Sequence, residues 1–475
     1  MRISIIIILS FFSFLSFGQE EQPANKTITE QFIDAYNAGN YELIFNMYAD
    51  PMKEALPLDQ STGFLSALNA QVGKIISHDF IQYEQGTYAS YKVNFEQALL
   101  TLNISIDTLS NINGLFVKPY TETVDTAAIV NNLNTDTNQS DFTKEQLELI
   151  FDQMKVFPNS TQLSIAMIKD GEVFFYGAVK QKDSIDYVDN KLGVFEIGSI
   201  SKVFTATLLA QFVVEGKLSL KDDINDYLNA PIKDNTVLLF EDLSNHSSGL
   251  PRLPSNLDLT SVDLTNPYKT FDEQAIKSYL AEYLDLSGKG SYQYSNLGAG
   301  LLGYTLSDME QTSYEQLLQD RIFSKLDMEA STSKLEQVET GLIRGLNAQG
   351  DEVSNWDLAI LAGAGGIMSN VEDLSKFALS QFDDSNEAQA LTRVKTISLN
   401  ESMDMGLGWH ILRKQPEVNL FFHNGATGGY TSSMVVNTAS KDGLIILSNV
   451  SPEHPNMGNI DDLCFLLMET LAKGE

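Results

Sequence analysis

The sequence predicts an α+β protein with a small folded domain at its N-terminus and a larger one after it. In the larger domain, segments with strand character lie near both ends, at 162–179 and 408–448. Amphipathic helices are predicted at 143–156 and at 460–471, and the region between the strands has mainly helical spacing. We therefore expect one antiparallel sheet built from both chain ends, flanked by the terminal helices, and a mainly helical lobe.

Residues 1–18 have the pattern of a secretory signal peptide. A positively charged start precedes an apolar run at 3–17, and Ser16 and Gly18 put small side chains before a cut at Gln19. The run is too short for a comfortable transmembrane helix. We expect an exported protein, periplasmic or secreted, with no integral membrane segment after signal cleavage.

The small domain is predicted at residues 26–118. Three segments with helical spacing come first, and four short strands follow at 76–84, 87–95, 98–106 and 112–117. A tight turn is expected at Asn111–Gly114. This order suggests an α+β cone, similar to cystatin-like folds and to small domains found ahead of secreted hydrolases. A polar linker is predicted at 119–142, so that the larger domain covers 143–472.

Ser199 and Lys202 form a Ser-x-x-Lys pattern between an apolar strand end and an apolar helix. Residues three apart on a helix share a face, so the lysine amine is expected beside the serine hydroxyl. A buried amine that loses its charge takes the serine proton, which is the chemistry of an acyl-transfer enzyme. Ser331 and Lys334 match the same pattern, but no strand precedes them and no apolar helix follows, so we assign them no role.

Two further patterns supply the groups that a Ser/Lys pair needs. Tyr294 and Asn296 offer a phenol and an amide before a run of small residues that opens a helix, and His423 and Gly425 lie on a glycine-containing strand. Similar triplets at 227–229 and 441–443 are interpreted as a surface turn and a hairpin turn.

In this order, the three patterns resemble those of the serine β-lactamase and penicillin-binding protein family, in the branch of class C β-lactamases, DD-peptidases and related esterases. Further family-like stretches occur at 243–251, 364–369 and 406–409, and the resemblance covers about residues 145–472. It implies a β-lactamase-like fold and a serine hydrolase without naming the substrate.

The resemblance implies a role for each residue. Ser199 attacks a carbonyl carbon, and Lys202, alone or coupled with Tyr294, removes the serine proton. Tyr294 then returns a proton to the leaving group and is our candidate for activating the deacylating water. Asn296 orients the substrate amide and Lys202, and the backbone N–H groups of Ser199 and Ala426 form the oxyanion hole.

His423 stands where most β-lactamases carry lysine. An unperturbed histidine is mostly neutral at neutral pH, so it is a weaker partner for a substrate carboxylate and argues against efficient β-lactam hydrolysis. Gly425 lets the backbone of its strand approach the nucleophile closely. We expect this strand at the sheet edge facing Ser199, and we interpret His246 as a structural loop residue.

Composition excludes other classes of function. The formal net charge of −32 disfavours binding to nucleic acids. No metal-binding or phosphate-binding motif and no Gly-x-Ser-x-Gly elbow occurs, so we expect no metal and no cofactor. Cys464, the single cysteine, lies in the apolar C-terminal helix and is interpreted as a buried hydrophobic residue.

Three functional hypotheses follow from these residues. The first is an exported serine hydrolase acting on D-amino-acid peptides, small amides or esters. The second is a β-lactamase proper, with fast deacylation. The third is a module that binds cell-wall fragments or penicillin without turnover, although such a module has no need of Lys202. The expected partner is a small-molecule or peptide substrate, and the sequence leaves the oligomeric state and the role of the small domain open.

Overall fold

A computed structural model provides the architecture of this chain. It describes residues 21–84, 88–120, 126–133, 141–257, 262–263, 265–383, 385–415 and 418–472. The chain divides into two compact units, Met1–Glu122 and Thr123–Glu475. The predicted signal peptide, residues 1–18, lies outside the described residues, as do 121–125 and 134–140 of the predicted linker.

The N-terminal unit combines four helices with a four-stranded antiparallel sheet. Its helices are α1 (Pro23–Asn37), α2 (Tyr41–Asn46), α3 (Asp50–Ala55) and α4 (Leu58–Val72), and its strands are β1 (Ile75–Glu84), β2 (Tyr88–Phe95), β3 (Leu99–Ile106) and β4 (Ile112–Pro119). The strands pair in sequence order, which agrees with the predicted meander. Alternate side chains of β2 and β3 face the helices and form an apolar core of their own.

The turn predicted at Asn111–Gly114 is wrong, because the chain reverses earlier. Asp107 Oδ1 accepts hydrogen bonds from the backbone N–H groups of Leu109 and Asn111 at 2.8 and 2.9 Å. This side-chain cap makes the turn at 107–111, and Gly114 lies inside β4.

A ten-stranded sheet forms the centre of the second unit. Its strands are β5 (Val130–Asn131), β6 (Gln162–Lys169), β7 (Glu172–Lys180), β8 (Ser184–Tyr187), β11 (Ile397–Ser398), β12 (Met403–Met405), β13 (His410–Gln415), β14 (Val418–Ala426), β15 (Thr431–Asn437) and β16 (Asp442–Ser448), whereas β9 (Phe195–Glu196) and β10 (Met368–Ser369) pair separately. The order is β11-β12-β13-β14-β15-β16-β6-β7-β8-β5, antiparallel except between β5 and β8. Strands from the two ends of the domain meet where β16 pairs with β6, as the sequence predicted.

Helices cover both faces of this sheet. They are α5 (Lys144–Met154), α6 (Ser201–Val214), α7 (Phe240–Ser244), α8 (Glu273–Ser278), α9 (Asn296–Met309), α10 (Tyr314–Leu318), α11 (Val371–Ser380), α12 (Glu387–Thr392) and α13 (Asn459–Ala472). The terminal helices α5 and α13 share one apolar cluster with the sheet, and the remaining helices form a lobe with a second cluster, centred on α6. Among the described residues, no helix has the length and apolar character needed to cross a membrane.

Two sequence-based expectations differ from this architecture. Part of the predicted linker belongs to the sheet, because Val130 and Asn131 pair in parallel with Ser184 and Ile185 of β8. The strand carrying His423 is not at the edge, since β14 pairs with β13 on one side and β15 on the other. The strands β11 to β13 extend the sheet beyond it, so the site faces the middle of the sheet.

Cys464 is fully buried in α13, and burial raises the pKa of its thiol to about 12. Because the thiolate is the reactive form, we predict that the native protein does not react with a disulfide reagent such as Ellman's reagent at neutral pH. After unfolding in denaturant, the Cys464 thiol should react, with one equivalent of the reagent's coloured thiolate released per chain. Equal rates in the native and unfolded states would contradict the buried placement.

Candidate active site

Ser199 lies at the junction between a strand and the central helix of the helical lobe. The strand β9 ends at Glu196, a single 3₁₀ turn covers Gly198–Ile200, and α6 begins at Ser201. Gly198 has φ 50°, a left-handed conformation that glycine adopts without a steric penalty. This turn places the Ser199 hydroxyl one helical turn before Lys202.

Lys202 is 3% exposed, and its amine has three oxygen neighbours. Its Nζ lies 2.9 Å from Ser199 Oγ and 2.9 Å from Asn296 Oδ1. The third neighbour is the backbone carbonyl oxygen of Ala364, at 2.6 Å. Burial, with the charge of Arg252 as a second cause, holds the pKa of Lys202 well below its usual value.

The arrangement of acceptors orients the neutral amine. Asn296 Oδ1 and the Ala364 carbonyl accept hydrogen bonds, so they take the two N–H groups of an uncharged amine. The lone pair of Nζ is then directed towards the third neighbour, the Ser199 hydroxyl. This geometry makes Lys202 a proton acceptor for Ser199.

Tyr294 lies against the Ser199–Lys202 pair. Lys202 Nζ is 4.7 Å from the centre of the Tyr294 ring, and the rings of His246 and Tyr294 are 4.5 Å apart. Burial raises the pKa of Tyr294 to about 12, although a hydrogen bond with Ser199 and the charge of Arg252 oppose the shift. The phenol therefore keeps its proton at neutral pH.

The loop at 246–252 fixes the segment that carries Tyr294 and Asn296. The backbone N–H of Ser295 donates to His246 Nδ1 at 3.3 Å, and Ser295 Oγ donates to the carbonyl of Pro251 at 2.7 Å. The N–H of Asn296 donates to the carbonyl of Arg252 at 3.0 Å. His246 is thus a positioning residue next to Tyr294 as well as the structural loop residue predicted.

The glycine strand approaches the nucleophile through its backbone. A Cβ atom on Gly425 would lie 2.9 Å from Ser199 N and 2.6 Å from Ser432 Oγ, and would collide with the carbonyl oxygen of Ile197. Ser432 Oγ donates to that carbonyl at 2.9 Å, which ties β15 to the turn before Ser199. The backbones of Ser199 and Ala426 therefore come close together, as the predicted oxyanion hole requires.

His423 is 1% exposed and lies on β14, with the His410 ring 5.3 Å from its own. Its Nδ1 is 2.6 Å from the carbonyl oxygen of Asn424, so the proton resides on Nδ1, where it donates to that oxygen. Burial is the main cause that holds the pKa of His423 well below its usual value, and protonation is disfavoured further by the neighbouring basic groups of His410 and Lys202. The imidazole is therefore neutral and offers no positive charge to a substrate.

Ser199, Asn296 and Ala426 line one small cleft of about 30 Å³. Its other walls are apolar and aromatic side chains and backbone from separate parts of the chain: Tyr268, Trp356, Leu358, Leu361, Ala364, Gly365 and Thr427. The Ser199 hydroxyl, the Asn296 side chain and the backbone of Ala426 at the end of β14 therefore border the same cleft.

Comparison with known proteins places this geometry in a family. The profile described as Beta-lactamase matches residues 158–465. The chain belongs to the β-lactamase family. A second profile, described as a protein of unknown function (DUF3887), matches residues 29–115. The family resemblance is confirmed for the larger domain, and the cystatin-like character of the small domain stays a prediction.

Two curated proteins show sequence similarity to this member of the β-lactamase family. Protein flp of Staphylococcus aureus (strain MW2) is 22% identical over 315 residues, 61% of this chain and 60% of that protein. The β-lactamase of Providencia stuartii is 29% identical over 223 residues, 45% of this chain and 54% of that protein. The chain thus spans between half and two thirds of the length of these relatives.

Solved structures confirm the fold. The octameric penicillin-binding protein homologue from Pyrococcus abyssi aligns with a TM-score of 0.58 and 24% identity, over 68% of this chain and 77% of that one. The β-lactamase/D-alanine carboxypeptidase from Pseudomonas syringae aligns with a TM-score of 0.57 and 20% identity, over 69% and 97%.

Three groups near the site had no role predicted from the sequence. The Ala364 carbonyl accepts from Lys202 through the backbone, so its role does not depend on a particular side chain, even though it lies in the family-like stretch at 364–369. Arg252 follows the Ser-Gly-Leu-Pro sequence, and its guanidinium carbon lies 5.3 Å from the centre of the Tyr294 ring. His410 had no sequence signal, yet its Nε2 lies 3.2 Å from the Tyr292 hydroxyl within the buried aromatic cluster behind the site.

The second Ser-x-x-Lys pattern has a structural explanation. Ser331 is buried, and its hydroxyl donates to Asp373 Oδ2 at 2.9 Å and lies 2.8 Å from Ser369 Oγ. In the triplet at 227–229, which matches the Tyr-x-Asn pattern, the Tyr227 hydroxyl donates to Asp222 Oδ2 at 2.6 Å. Both hydroxyl groups hold loops, which explains the Ser-x-x-Lys match at Ser331 without a catalytic role and agrees with the turn predicted at 227–229.

Glu196 is a buried carboxyl group that supports the wall of the cleft. Its Oε1 accepts hydrogen bonds from Asn355 Nδ2 at 2.7 Å and from the backbone N–H of Trp356 at 2.9 Å. Burial raises the pKa of Glu196, and the hydrogen bonds from Thr427, Asn355 and Trp356 oppose the shift. The strand before the nucleophile is thereby tied to the loop that carries Trp356.

The close approach of Gly425 can be tested by adding a methyl group. We predict that Gly425→Ala lowers the acylation rate of Ser199 about 100-fold or more, because the turn at 197–199 must move and the oxyanion hole loses its geometry. Gly458→Ala is the matched control, since a Cβ atom there meets nothing within 4 Å. Near-normal acylation of Gly425→Ala would contradict the close approach.

The raised pKa of Glu196 predicts that the difference in unfolding free energy between wild type and Glu196→Gln depends on pH. A carboxyl whose folded pKa is raised stabilises the fold below its unfolded pKa and loses that contribution as the pH rises through the folded value. We predict that wild type becomes less stable relative to Glu196→Gln on going from acid to neutral pH, because the buried carboxyl then has to ionise in the folded state. Urea unfolding at several pH values measures this difference. Glu339→Gln, which removes an exposed carboxyl, controls for lost charge, and a pH-independent difference would contradict the raised pKa.

Proposed function

We propose that this protein is an exported serine hydrolase that acts through an acyl-Ser199 intermediate on D-amino-acid peptides, small amides or esters. The single observation that carries the proposal is the buried, uncharged Lys202 amine 2.9 Å from Ser199 Oγ. Membership of the β-lactamase family gives this pair a chemical precedent.

Acylation follows from the protonation states of the two partners. Lys202 Nζ accepts the Ser199 proton while Oγ forms a bond to the substrate carbonyl carbon. The carbonyl oxygen becomes an oxyanion and takes hydrogen bonds from the N–H groups of Ser199 and Ala426. One such donor typically contributes about 3 kcal/mol of transition-state stabilisation.

Tyr294 is the proton donor to the leaving group. Its phenol is protonated at neutral pH, since burial raises its pKa to about 12, and it lies beside both Ser199 and Lys202. As the leaving group departs with the Tyr294 proton, Lys202 gives its proton back to the phenolate oxygen. The net result is an acyl-serine, a protonated leaving group and a neutral lysine.

Deacylation reverses the same transfers with water as the nucleophile. A phenol with such a high pKa is a weak base by itself, so Tyr294 passes the proton of the water on to Lys202. Lys202 then returns a proton to Ser199 Oγ as the acyl–oxygen bond breaks. Tyr294 in this role is the residue proposed from sequence for activating the water.

The substrate class is narrowed by His423. A neutral imidazole at this position argues against efficient β-lactam hydrolysis and leaves D-amino-acid peptides, amides and esters as the proposed substrates. The solved relative from Pseudomonas syringae is named as both a β-lactamase and a D-alanine carboxypeptidase, which supports peptide chemistry as one branch of the proposal.

Export rests on the signal-like pattern of residues 1–18. Expression of the full chain in a bacterial host and N-terminal sequencing of the periplasmic product tests it. A mature protein beginning at Gln19 supports export, and an uncleaved cytoplasmic product overturns it.

The acyl-enzyme is testable by intact mass spectrometry after incubation with a fluorescent penicillin and, separately, with a fluorophosphonate. We predict an adduct on wild type and none on Ser199→Ala, because Ser199 Oγ has the neutral Lys202 amine beside it as proton acceptor. Ser331→Ala, which removes the other Ser-x-x-Lys serine, should still be labelled, with folding checked by thermal melting.

The same experiment separates the alternatives. A penicillin adduct that decays within seconds favours a β-lactamase proper, and one that persists favours a peptidase or esterase. Absence of an adduct with either probe, on a folded wild type, rejects the acyl-enzyme and favours the cell-wall-fragment-binding module.

A further inference from the structure

Arg252 is an exposed cation beside the catalytic tyrosine. Its guanidinium carbon lies 5.3 Å from the Tyr294 ring centre, within the range of a cation–π contact. Arg321 and Arg413 lie against carboxylates, with Arg321 Nη1 2.8 Å from Glu215 Oε1. For Arg252, the described part of the chain contains no carboxylate within ion-pair distance. Its guanidinium is therefore available to a ligand.

The backbone at Arg252 is held firmly. Its carbonyl accepts hydrogen bonds from the N–H groups of Asn296 and Leu297 at 3.0 and 3.2 Å, at the start of α9. Pro251 and Pro254 restrict the chain on either side. The same interactions position Tyr294 and Asn296, so the backbone of Arg252 is anchored relative to the reacting groups and its guanidinium lies against the Tyr294 ring.

The nearby basic groups do not duplicate this charge. Lys202 is buried and neutral, and burial also holds the pKa of His423 and of His246 well below their usual values. His410 is likewise neutral at physiological pH, because burial lowers its pKa to about 4. Arg252, by contrast, stays charged in water. In a protein of net charge −32, this is a local positive site for an anion.

We propose that Arg252 is the specificity-determining residue that binds a carboxylate on the leaving group of the substrate. The inference rests on the proposed function, since it concerns the same acyl transfer. The leaving-group side follows from Tyr294, which gives its proton to the departing atom and carries the guanidinium against its ring. A planar guanidinium pairs with a carboxylate through two parallel N–H···O bonds.

A second effect of Arg252 has to be separated from substrate binding. Its positive charge lowers the pKa of Lys202, so removal of the charge also changes the proton acceptor. This indirect effect acts on every substrate alike. Binding of a carboxylate acts only on substrates that carry one, so a ratio of two substrates isolates it.

The test compares two aryl esters of N-acetylglycine that differ only in the phenol, with a meta-carboxylate in one and a meta-carboxamide in the other. We expect wild type to prefer the carboxylate ester in kcat/KM, and Arg252→Gln to reduce that preference about 10-fold or more, as for loss of a charge-assisted hydrogen-bonded pair. Arg252→Lys should retain part of it, and added salt should weaken it in wild type.

Lys144→Gln is the matched control, because it makes the same change in net charge at an exposed position on α5. Its substrate ratio should equal that of wild type. An unchanged ratio in Arg252→Gln, or an equal fall for both esters, overturns carboxylate recognition. Fluorophosphonate labelling of the same variants reports the nucleophilicity of Ser199 independently of the esters, so absence of labelling in wild type would reject the proposed function instead.

Discussion

The uncharged amine of Lys202 is the constraint on which the rest of the site depends. A lysine inside a protein loses most of its hydration, so the neutral form is favoured and its donors must be matched by acceptors. Asn296 and the carbonyl of Ala364 provide them, one from α9 and one from the turn before β10. Because those elements come from distant parts of the chain, the amine is oriented towards Ser199 only when the helical lobe is fully assembled. Catalytic competence and folding of this lobe are therefore linked.

Close backbone packing is the second requirement, and it joins the lobe to the sheet. The turn at 197–199 and the end of β14 approach so closely that Gly425 has no room for a side chain. Ser432 holds the same turn from the next strand through the carbonyl of Ile197. An interior strand suits this purpose better than an edge strand, because pairing on both sides fixes its position. The backbone N–H group of Ala426, which we propose as an oxyanion donor, is thus held by the ten-stranded sheet.

The sequence predicted the parts of this structure that depend on periodicity or on side-chain chemistry. The strands on either side of the 170–171 turn and the terminal helices follow from apolar spacing, and Ser199 and Lys202 follow from their contexts. Backbone groups carry no such signal, which is why the Ala364 carbonyl was missed. The interior position of β14 depends on the pairing of β11 to β13, and a two-residue strand such as β5 is too short to show a period. Arg252 was missed because its partner, the Tyr294 ring, is 42 positions away.

The histidine at position 423 and the arginine at 252 can be understood together. A lysine at 423 would place a second amine near Lys202, and each positive charge would make the other less favourable in a buried site. A neutral His423, with its proton on Nδ1, avoids that repulsion and keeps its ring in the cluster with His410. The positive charge then lies at the exposed Arg252, where hydration reduces its cost, while its field still reaches Lys202. The buried base therefore stays neutral, chiefly through its burial, while the exposed Arg252 keeps a cation against the Tyr294 ring, on the side of the site where we propose that an anionic leaving group binds.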